Sequence, residues 1–579
     1  MQEKTIQTKV CKQCNSNFDI TDKDLEFYDK ISPVFSGEKF SIPSPTLCPD
    51  CRQQRRLSFR NERKLYKRKC DLTWKNIISM YSPDKNFKVY DYKEWWSDKW
   101  DAMDYWIDFD FEKWFFEQFW KLDKLVPKSN LFVSNSENCE YTNLLKYSNN
   151  CYYAIAGSQN EDCYHSTFIM GCSNVLDSLF IFNSENCYEN VDCYTSFNLF
   201  FSQSSKDCRD SYFLYNCEWC ENCFWSINLK NKKYYIYNKK YSKDEYFKKL
   251  NEILKEDWYI NKNIKKLNDI KLKSTHKNYN WVQNDKITWD YISFSKDTFN
   301  SYDCTYLENC KYCTWLHKSE DCYDHYAWWI WWKLWYENHL CWNWFHNLLF
   351  SNCCEDNCTN LYYSQHCQSV NNCFWCVWLK NKEYCILNKQ YTKEEYEKLV
   401  PKIIKHMQLP HPNPLLRGEG ETTSEWWEFF PSSISPFWYN ETVAYEYFPL
   451  TKQESQDCWF NWSDYITPIP KVSKIIPADK LPDNISDIPD DILNWAIECE
   501  VTKKPFRIIK QELEFYRKHN LPIPKRHPDQ RHLDRMALRN PRKLYDRKCD
   551  KCSVDMKTTY SSDREEIVYC EECYNMEVY

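Results

Sequence analysis

Glycine is nearly missing from this chain, with 5 glycines among 579 residues, whereas ordinary proteins carry about 7% glycine. Tryptophan is abundant, with 28 residues, and it stands where turns favour a residue without a side chain, as at Trp225 and Trp375. The sum of the glycine and tryptophan counts is close to the number of glycines in an ordinary protein of this length. Because some bacteria read the UGA codon as glycine, the pattern predicts that many of these tryptophans are glycines translated under the wrong code. An aromatic surface for membrane binding or base stacking is the alternative.

The tryptophan-rich run 328–335 belongs to the predicted glycine set, since a soluble chain does not require five tryptophans in eight positions. Trp95, Trp96 and Trp100 lie in the acidic context EWWSDKWD. We predict that these three are true tryptophans.

Long apolar runs are absent as well. No run of 18 apolar residues occurs, which excludes a conventional membrane-spanning helix. The first residues, MQEKTIQTKVCKQC, contain no apolar core of a signal peptide. We therefore expect a cytoplasmic protein that does not bind a membrane and whose 33 cysteines are reduced.

Familiar catalytic motifs are also missing. The sequence contains no GxSxG, P-loop, GxGxxG or HExxH pattern, so no catalytic residue is predicted and the chain is not expected to be an enzyme. The net charge of −6 gives no global preference for nucleic acid.

The strongest positive feature is an internal duplication. Residues 48–94 align without a gap with residues 527–573 at an offset of 479, and 14 of the first 26 pairs are identical. Upstream, the run LEFY at 25–28 matches 513–516 at an offset of 488. The two ends of the chain are therefore predicted to be copies of one module.

Each copy has positions for two four-ligand metal sites, because tetrahedral zinc takes thiolate or imidazole ligands supplied as two close pairs. One site is complete in each copy, and the paired CxxC spacing is typical of zinc ribbons. Two free thiol pairs or a redox couple are the alternative. The sequence predicts two Zn2+ ions, held by Cys11, Cys14, Cys48 and Cys51 and by Cys549, Cys552, Cys570 and Cys573.

The remaining site of each copy has lost ligands, because threonine and glutamine are not usual zinc ligands. We expect both of these positions to be empty of metal. They consist of Cys70, Thr73, Asp91 and Glu94 in the first copy and of Cys499, Thr502, His527 and Gln530 in the second.

The middle of the chain contains short repeated sequence motifs that end in cysteine. Cys139, Cys163, Cys187 and Cys208 are spaced by 24, 24 and 21 residues, and a second series starting at Cys151 has the same spacing range. Two series with one period indicate a solenoid. Asparagine-rich turns between short β-prone stretches favour a parallel β-solenoid of about three short strands in each turn of 21 to 24 residues. Leucine-rich repeats are excluded by the missing LxxLxL pattern.

Stacking places the central cysteines above one another, where a reduced thiol packs as a small apolar group. The alternative is a metal or redox centre at Cys217, Cys220 and Cys223, whose spacing resembles part of a ferredoxin motif. The fourth cysteine and the proline of that motif are absent.

The solenoid is duplicated too, since residues 223–246 match 373–396 with 15 of 24 identities. Each copy ends in a capping-box pattern, Ser242 with Glu245 and Thr392 with Glu395, which predicts a helix that closes the solenoid.

The predicted fold is mainly β, a two-part parallel β-solenoid with cysteine ladders flanked by zinc-ribbon or treble-clef modules. The predicted segments are the N-terminal module (1–127), solenoid half 1 with its helix (128–250), a connector (251–299), solenoid half 2 with its helix (300–407), a proline-rich linker and extended segment (408–489) and the C-terminal module (490–579).

A basic segment follows the first quartet. Residues 52–69 contain nine Lys or Arg and one acidic residue. If the segment is helical, five of these side chains fall within about 80° of arc and could bind a nucleic-acid backbone. A solvated helix face that pairs with the acidic segment 98–117 is the favoured alternative. The candidate nucleic-acid residues are Arg52, Arg56, Arg60, Arg63 and Lys67.

Several phrases resemble a known group. They include PTLCPDCRQQRRLSFRNERKLYKRKCDLTWKNIISMYSPD, VYDYKEWWSDKWD, NCFWCVWLKNKEYCILNKQYTKEEYEKL and IPDDILNWAIECEVTKKPFRI. The chain is similar over most of its length to the uncharacterised zinc-ribbon, cysteine-repeat proteins of candidate-phyla bacteria. In that family the matching phrases read CDLTGK and NCFGC, which implies glycine at Trp74, Trp225 and Trp375. The family implies no activity.

Taken together, these features predict a zinc-binding structural or interaction scaffold with an unidentified macromolecular partner, protein or RNA. The alternatives are a nucleic-acid- or ribosome-associated protein that uses residues 52–69, and a metal or redox enzyme that uses the central cysteines.

Overall fold

The structure of this chain is a computed structural model. It describes residues 3–256, 260–282, 284–287, 290–326, 333–336, 346–349, 351, 358–409, 424–427, 429–466 and 468–578. The chain forms two compact units, and each unit combines two distant stretches of sequence. Unit 1 comprises Met1–Asn130 and Tyr279–Tyr465, and unit 2 comprises Leu131–Asn278 and Ile466–Tyr579. Each unit therefore combines one terminal module with the solenoid half that lies farther from it in sequence.

The described residues include twelve α-helices, the longest of which has 16 residues. Helix α2 and its counterpart α11 both start with proline, whose fixed backbone angle suits the first helical position. In chain order the helices are α1 (Asp22–Ile31), α2 (Pro49–Leu57), α3 (Tyr92–Trp95), α4 (Phe115–Leu125), α5 (Lys243–Glu256), α6 (Ile260–Leu272), α7 (Lys393–Gln408), α8 (Val443–Tyr447), α9 (Lys452–Asp457), α10 (Lys510–Lys518), α11 (Pro528–Met536) and α12 (Glu571–Val578).

Most of the remaining regular structure is a parallel β-solenoid of about 17 turns, divided between the two units. This confirms the predicted fold class. In unit 2 its strands are Val133–Ser134, Asn143–Lys146, Ile155–Ser158, Thr167–Met170, Ser173–Leu176, Leu179–Phe182, Glu185–Tyr188, Val191–Tyr194, Phe197–Phe200, Arg209–Tyr215, Glu221–Ile227 and Lys233–Ile236. In unit 1 they are Trp281–Val282, Asp285–Ile287, Ile292–Ser293, Lys296–Thr298, Cys304–Glu308, His317–Tyr323, Lys333–Tyr336, His346–Leu349, Thr359–Tyr362, Asn371–Phe374 and Cys385–Ile386.

The predicted coil length was wrong. Ile155 pairs with Thr167, and Thr167 pairs with Leu179, so one coil takes 12 residues. The spacing of 24 between cysteine phrases corresponds to two coils. The coil is short because every third residue adopts a left-handed backbone conformation, as at Asp162, His165 and Phe168, which turns the chain at each step.

The residue after each left-handed position points into the coil. Cys163, Ser166, Ile169 and Cys172 form the interior of one such coil, and each is at most 2% exposed. The Ser166 hydroxyl donates to the carbonyl oxygen of Tyr164 at 3.0 Å. The thiol of Cys163 donates to the carbonyl oxygens of Glu161 and Cys172 at 3.3 and 3.6 Å. Cysteine and serine therefore suit this narrow interior, because each is small and can donate a hydrogen bond to the backbone.

Both solenoid halves end in an antiparallel hairpin followed by a helix. Lys239–Lys240 turns back onto Lys233–Ile236, and Lys389–Gln390 turns back onto Cys385–Ile386. The backbone N–H of Ser242 donates to the carboxylate of Glu245 at 3.0 Å, and Thr392 and Glu395 form the corresponding capping box. Tyr246 of α5 and Tyr396 of α7 are buried against the hairpins. The predicted terminal helices are present.

The terminal modules share one architecture. Strands Tyr66–Lys69 and Asn76–Ser79 pair with Tyr66 opposite Ser79, and Tyr545–Lys548 and Asp555–Thr558 pair with Tyr545 opposite Thr558. The residue numbers of the second pairing exceed those of the first by 479, the offset found in the sequence. The other module strands are Thr5–Val10, Asn17–Thr21, Val34–Phe35, Glu38–Lys39, Val89–Tyr90, Lys128–Ser129, Thr275–Lys277, Lys474–Pro477, Trp495–Glu498, Pro505–Phe506 and Ile567–Tyr569.

Regular structure also occurs within the predicted connector 251–299 and the predicted linker 408–489. Solenoid strands already occur at Trp281–Val282 and Ile292–Ser293, inside the predicted connector 251–299. The described residues of the predicted linker fold as well, because 424–465 contains α8 and α9 and buried side chains such as Phe430 and Tyr439. Residues 410–423 of that linker lie outside the described residues. Among those described, no helix combines the length and apolar character that crossing a bilayer requires.

Candidate metal centres

Cys11, Cys14, Cys48 and Cys51 come together in unit 1. Their four sulfur atoms all lie within 4.8 Å of one another, and the Cys14 and Cys48 sulfurs are 3.6 Å apart. Zinc–sulfur bonds of 2.3 Å directed to the corners of a tetrahedron place the sulfurs about 3.8 Å apart. The quartet therefore has the dimensions of a four-thiolate metal site.

Two local structures position these four thiols. Cys11 and Cys14 lie in the turn between Thr5–Val10 and Asn17–Thr21, where Asn15 takes a left-handed conformation. Cys48 is the N-cap of α2, and Cys51 lies in its first turn. The backbone N–H of Cys48 donates to the Cys11 sulfur at 3.3 Å, which links the turn to the helix.

Cys549, Cys552, Cys570 and Cys573 form the corresponding quartet in unit 2, again with all sulfurs within 4.8 Å. The Cys552 and Cys570 sulfurs are 3.7 Å apart. The backbone N–H of Cys570 donates to the Cys549 sulfur at 3.2 Å, just before α12. Cys14 and Cys552 are exposed, so each quartet lies at the surface of its module.

The thiols of each quartet differ in acidity. Hydrogen bonds from Cys48 and Cys51 lower the pKa of Cys11 far below its usual value, and the bond to Cys11 raises the pKa of Cys48 to about 12. Burial raises the pKa of Cys549, but backbone N–H groups of Cys552 and Cys570 outweigh that effect and lower it to about 6. One sulfur of each quartet is therefore stabilised as a thiolate.

The incomplete site of the first copy keeps its backbone geometry. The N–H of Asp91 donates to the Cys70 sulfur at 3.3 Å, as Cys48 does to Cys11. Its side chains serve other purposes: the carboxylate of Asp91 accepts from the N–H of Lys93 at the start of α3, and Glu94 pairs with Lys99. Thr73 occupies the remaining ligand position.

The incomplete site of the second copy is similar. The N–H of Thr502 donates to the Cys499 sulfur at 3.4 Å. His527 caps α11, because its Nδ1 accepts from the N–H of Asp529 at 3.1 Å. The Gln530 amide donates to Asp534 at 2.8 Å. Hydrogen bonds therefore engage both His527 and Gln530 at the start of α11.

The predicted cationic stripe does not form as a solvent-facing helix. Helix α2 ends at Leu57, and Lys67 is exposed on the strand Tyr66–Lys69. The four arginines of the stripe are buried, none more than 5% exposed, so a phosphate backbone cannot reach them in this structure. They are Arg52, Arg56, Arg60 and Arg63.

Three of the buried arginines, Arg52, Arg56 and Arg60, contact the solenoid. Arg52 and Arg56 form ion pairs with Asp324 at 2.9 and 3.3 Å. The guanidinium of Arg60 lies 4.9 Å from the ring centre of Tyr326. Helix α2 therefore clamps the N-terminal module onto the solenoid of unit 1.

Unit 2 repeats the clamp with its own residues. Arg531 and Arg535 of α11, which match Arg52 and Arg56, both pair with Asp177. Arg535 also contacts Glu189 at 3.2 Å, and Arg539 pairs with Asp192 at 3.0 Å. Sequence reasoning missed Asp177 and Asp324, because aspartates are frequent at the left-handed positions of the solenoid and these two carry no distinguishing pattern.

The central cysteines lie inside the coils. Cys217, Cys220 and Cys223 occupy successive inward positions and are at most 1% exposed. Their thiols donate to backbone carbonyl oxygens at 3.4 to 3.6 Å. No disulfide bond joins any two of the described cysteines.

No protein-family model and no curated protein matches this chain. The arrangement of its own residues is therefore the basis for a functional proposal.

Proposed function

We propose that this protein is a zinc-binding scaffold, in which two Zn2+ ions fix treble-clef-like terminal modules and the β-solenoid presents a long surface to a macromolecular partner. We propose no catalytic activity for it. The observation that carries the proposal is the sulfur geometry of the two quartets, whose contacts of 3.6 and 3.7 Å approach the edge of a zinc–thiolate tetrahedron. The resemblance to the zinc-ribbon, cysteine-repeat proteins supports the same proposal.

The position of the first quartet supports a structural role for the metal. Cys48 caps α2 and Cys51 lies in its first turn, and the next residue, Arg52, pairs with buried Asp324. A metal at this quartet would hold the start of the helix that clamps the module. A closed shell of four protein ligands is also typical of structural rather than catalytic zinc.

Elemental analysis of the purified protein tests the proposal. We expect two zinc ions per chain and neither iron nor acid-labile sulfide. Cys14→Ser and Cys552→Ser are each expected to reduce the content to one zinc. Full-length, folded protein with no bound metal would refute the scaffold model, and stoichiometric iron with sulfide would favour the redox alternative.

We also propose that the tryptophans at left-handed positions are glycines in the native protein. Positive φ angles are rare for bulky residues, yet Trp74 and Trp427, which lie outside the solenoid coils, have φ angles of 61° and 85°. Trp225 and Trp375 have φ angles of 45° and 62°, but they lie in the solenoid, where every third residue adopts this conformation whatever its type. Trp219, Trp315, Trp378 and Trp459 share this conformation.

Packing supports the same assignment. Among the described residues, the buried indole N–H groups of Trp225 and Trp375 have no hydrogen-bond acceptor. The ring centres of Trp375 and Phe115 are 3.2 Å apart, closer than the 4.5–7 Å typical of aromatic pairs. By contrast, the indole N–H groups of Trp95 and Trp100 donate to the carbonyl oxygens of Pro127 and Trp95, as expected of true tryptophans.

Peptide mass spectrometry of the protein from its native cell tests this proposal. Glycine is expected at positions 225, 331 and 375, and tryptophan at 95 and 100. Position 331 lies outside the described residues and depends on the composition argument alone. Tryptophan at 225 and 375 would rule the proposal out.

A further inference from the structure

The end of the first solenoid half carries a concentration of positive charge that the second half lacks. Residues 230–249 contain eight lysines and two acidic residues, whereas the matching residues 380–399 contain five lysines and four glutamates. The two segments have the same fold, a hairpin followed by a helix. The charge difference is therefore not a requirement of the fold.

Most of these lysines are exposed and make no ion pair with the described residues. Lys230 and Lys233 are exceptions, since they pair with Glu218 and Glu221 at 3.3 and 2.6 Å. The unpaired exposed lysines are Lys232, Lys239, Lys240, Lys243, Lys248 and Lys249. In the second half the lysines are engaged by other groups, as Lys389 is by Asp108 and Lys380 by the carbonyl oxygen of Trp95.

Aromatic rings lie between these lysines. The ammonium groups of Lys239 and Lys249 are 5.9 and 5.3 Å from the ring centre of Tyr241, so the hairpin and α5 contribute to one continuous face. Tyr237 and Phe247 are 45% and 40% exposed. We call this face the end surface and define it by the six unpaired lysines together with Tyr237, Tyr241 and Phe247.

We propose that the end surface binds single-stranded nucleic acid. Lysines neutralise backbone phosphates and release counterions, and exposed rings provide faces on which bases stack without sequence preference. Tyr237 lies on the hairpin beside Lys239 and Lys240, and 45% of its side-chain surface is exposed, so its ring is accessible to a base.

An acidic protein or a membrane suits this surface less well. An acidic peptide would use the lysines but would provide no base to stack on the exposed faces of Tyr237 and Phe247. The aliphatic side chain of the hairpin, Ile236, is buried, so no exposed aliphatic group of the hairpin is available to enter a bilayer.

The second solenoid half supplies the design of the test. Lys240, Phe247 and Lys249 correspond to Gln390, Glu397 and Leu399, so the triple variant Lys240→Gln, Phe247→Glu, Lys249→Leu uses side chains that the same fold already accommodates. Tyr237 corresponds to Leu387, which makes Tyr237→Leu a stacking variant. The control is Lys393→Gln, Lys398→Gln, Lys402→Gln on exposed positions of α7, which changes the net charge by the same amount as the triple variant.

The measurement is fluorescence anisotropy of labelled oligouridylate RNA with the full-length protein over a range of salt concentrations. We expect the triple variant to bind on the order of tenfold more weakly and the salt slope, log Kd against log salt, to fall by about 1.4, since single strands give about 0.7 per phosphate contact. Tyr237→Leu is expected to weaken binding on the order of tenfold at every salt concentration without changing the slope.

The α7 control is expected to bind like the unmodified chain, and unchanged zinc content and circular dichroism would show that the variants are folded. The proposal is overturned if the RNA does not bind at low salt, if the triple variant binds like the unmodified chain, or if the α7 control loses affinity equally. Binding to phosphatidylserine vesicles or to a polyglutamate peptide in the absence of RNA binding would also overturn it.

Discussion

Arg52 of helix α2 donates from Nε to Oδ1 of Asp324 over 3.0 Å, although 272 residues separate them in sequence. Neither side chain is more than 1% exposed, and a second pair of atoms, Nη2 and Oδ2, is 2.9 Å apart. This two-point contact fixes the N-terminal module on the solenoid of unit 1. Its partner in unit 2 is the contact of Arg531 with Asp177.

Replacing Asp324 by asparagine is expected to destabilise unit 1 strongly. Arg52 and Arg56 would be left as buried charges without a carboxylate, which typically costs about 3–5 kcal/mol. Asp321→Asn is the matched control, because Asp321 pairs with Lys30, which is half exposed, and such a pair contributes at most about 1 kcal/mol. Hydrogen exchange of α2 distinguishes the two variants, and equal protection in both would contradict the clamp.

Loss of the two metals is expected to have unequal effects. Cys11→Ser should release the start of α2 and so reduce the protection of the clamp in unit 1. Cys549→Ser should loosen the Tyr545–Thr558 hairpin and α12 but leave α11 protected, because α11 is capped by His527 without a metal. Hydrogen exchange with and without a zinc chelator measures both effects. If α11 loses protection as much as α2 does, the assignment of a hydrogen-bonded start to α11 is wrong.

The narrow coil interior predicts a strong dependence on side-chain size. Cys163→Ser keeps the size and the donor and is expected to cost under about 1 kcal/mol. Cys163→Leu adds volume where four inward side chains meet and is expected to cost about 1–3 kcal/mol or more. Thermal unfolding followed by circular dichroism compares the two variants, and a leucine variant as stable as the serine variant would argue against the packed interior.

His276 predicts a pH dependence in unit 2. Burial lowers the pKa of His276 to about 4, with the carbonyl of Lys271 opposing and its ammonium adding to the effect. Between pH 6.5 and 4 the unfolded chain binds the proton that the folded chain excludes, so stability falls as the pH is lowered, by about 2 kcal/mol at pH 5.

The strand Thr275–Lys277 is the place to measure this dependence. Its hydrogen exchange, corrected for intrinsic rates, should accelerate between pH 7 and pH 5. In His276→Gln this pH dependence should disappear, because glutamine does not titrate. A dependence that persists in the variant would assign the effect to another group.

Trp74 and Trp95 provide a contrast for the glycine proposal. Trp74 is exposed and has a φ angle of 61°, a conformation that costs a residue with a side chain roughly 1–2 kcal/mol. Trp74→Gly is therefore expected to stabilise unit 1 by about 1 kcal/mol. Trp95→Gly removes a buried ring and is expected to destabilise it by about 3–5 kcal/mol. Urea denaturation of both variants measures the difference, and destabilisation by both would speak against glycine at position 74.

Much of the architecture could be predicted because internal duplication shows which segments of the sequence form equivalent modules. The two offsets in the sequence, 488 and 479, reappear as matching helices α1 with α10 and α2 with α11. The cysteine spacing likewise indicated a solenoid. The coil length was missed because cysteine occupies only some inward positions, and Ser166 or Ile169 fills the others.

The role of the arginines could not be derived from local sequence. A basic run looks the same whether it faces solvent or a buried carboxylate, and Asp324 lies far away in sequence. The pairing of each module with one particular solenoid half is also a property of the tertiary fold. It depends on side chains that meet only after the coils have stacked.

The distance between Arg52 and Asp324 along the chain also has a consequence for biosynthesis. A ribosome that adds about 5–20 residues per second needs roughly 15–55 s to proceed from one to the other. Until then the four arginines that are later buried remain accessible on the nascent polypeptide. Unit 2 follows the opposite order, since Asp177 is synthesised before Arg531. In unit 2 the carboxylates are therefore the groups that remain accessible until their arginine partners are synthesised.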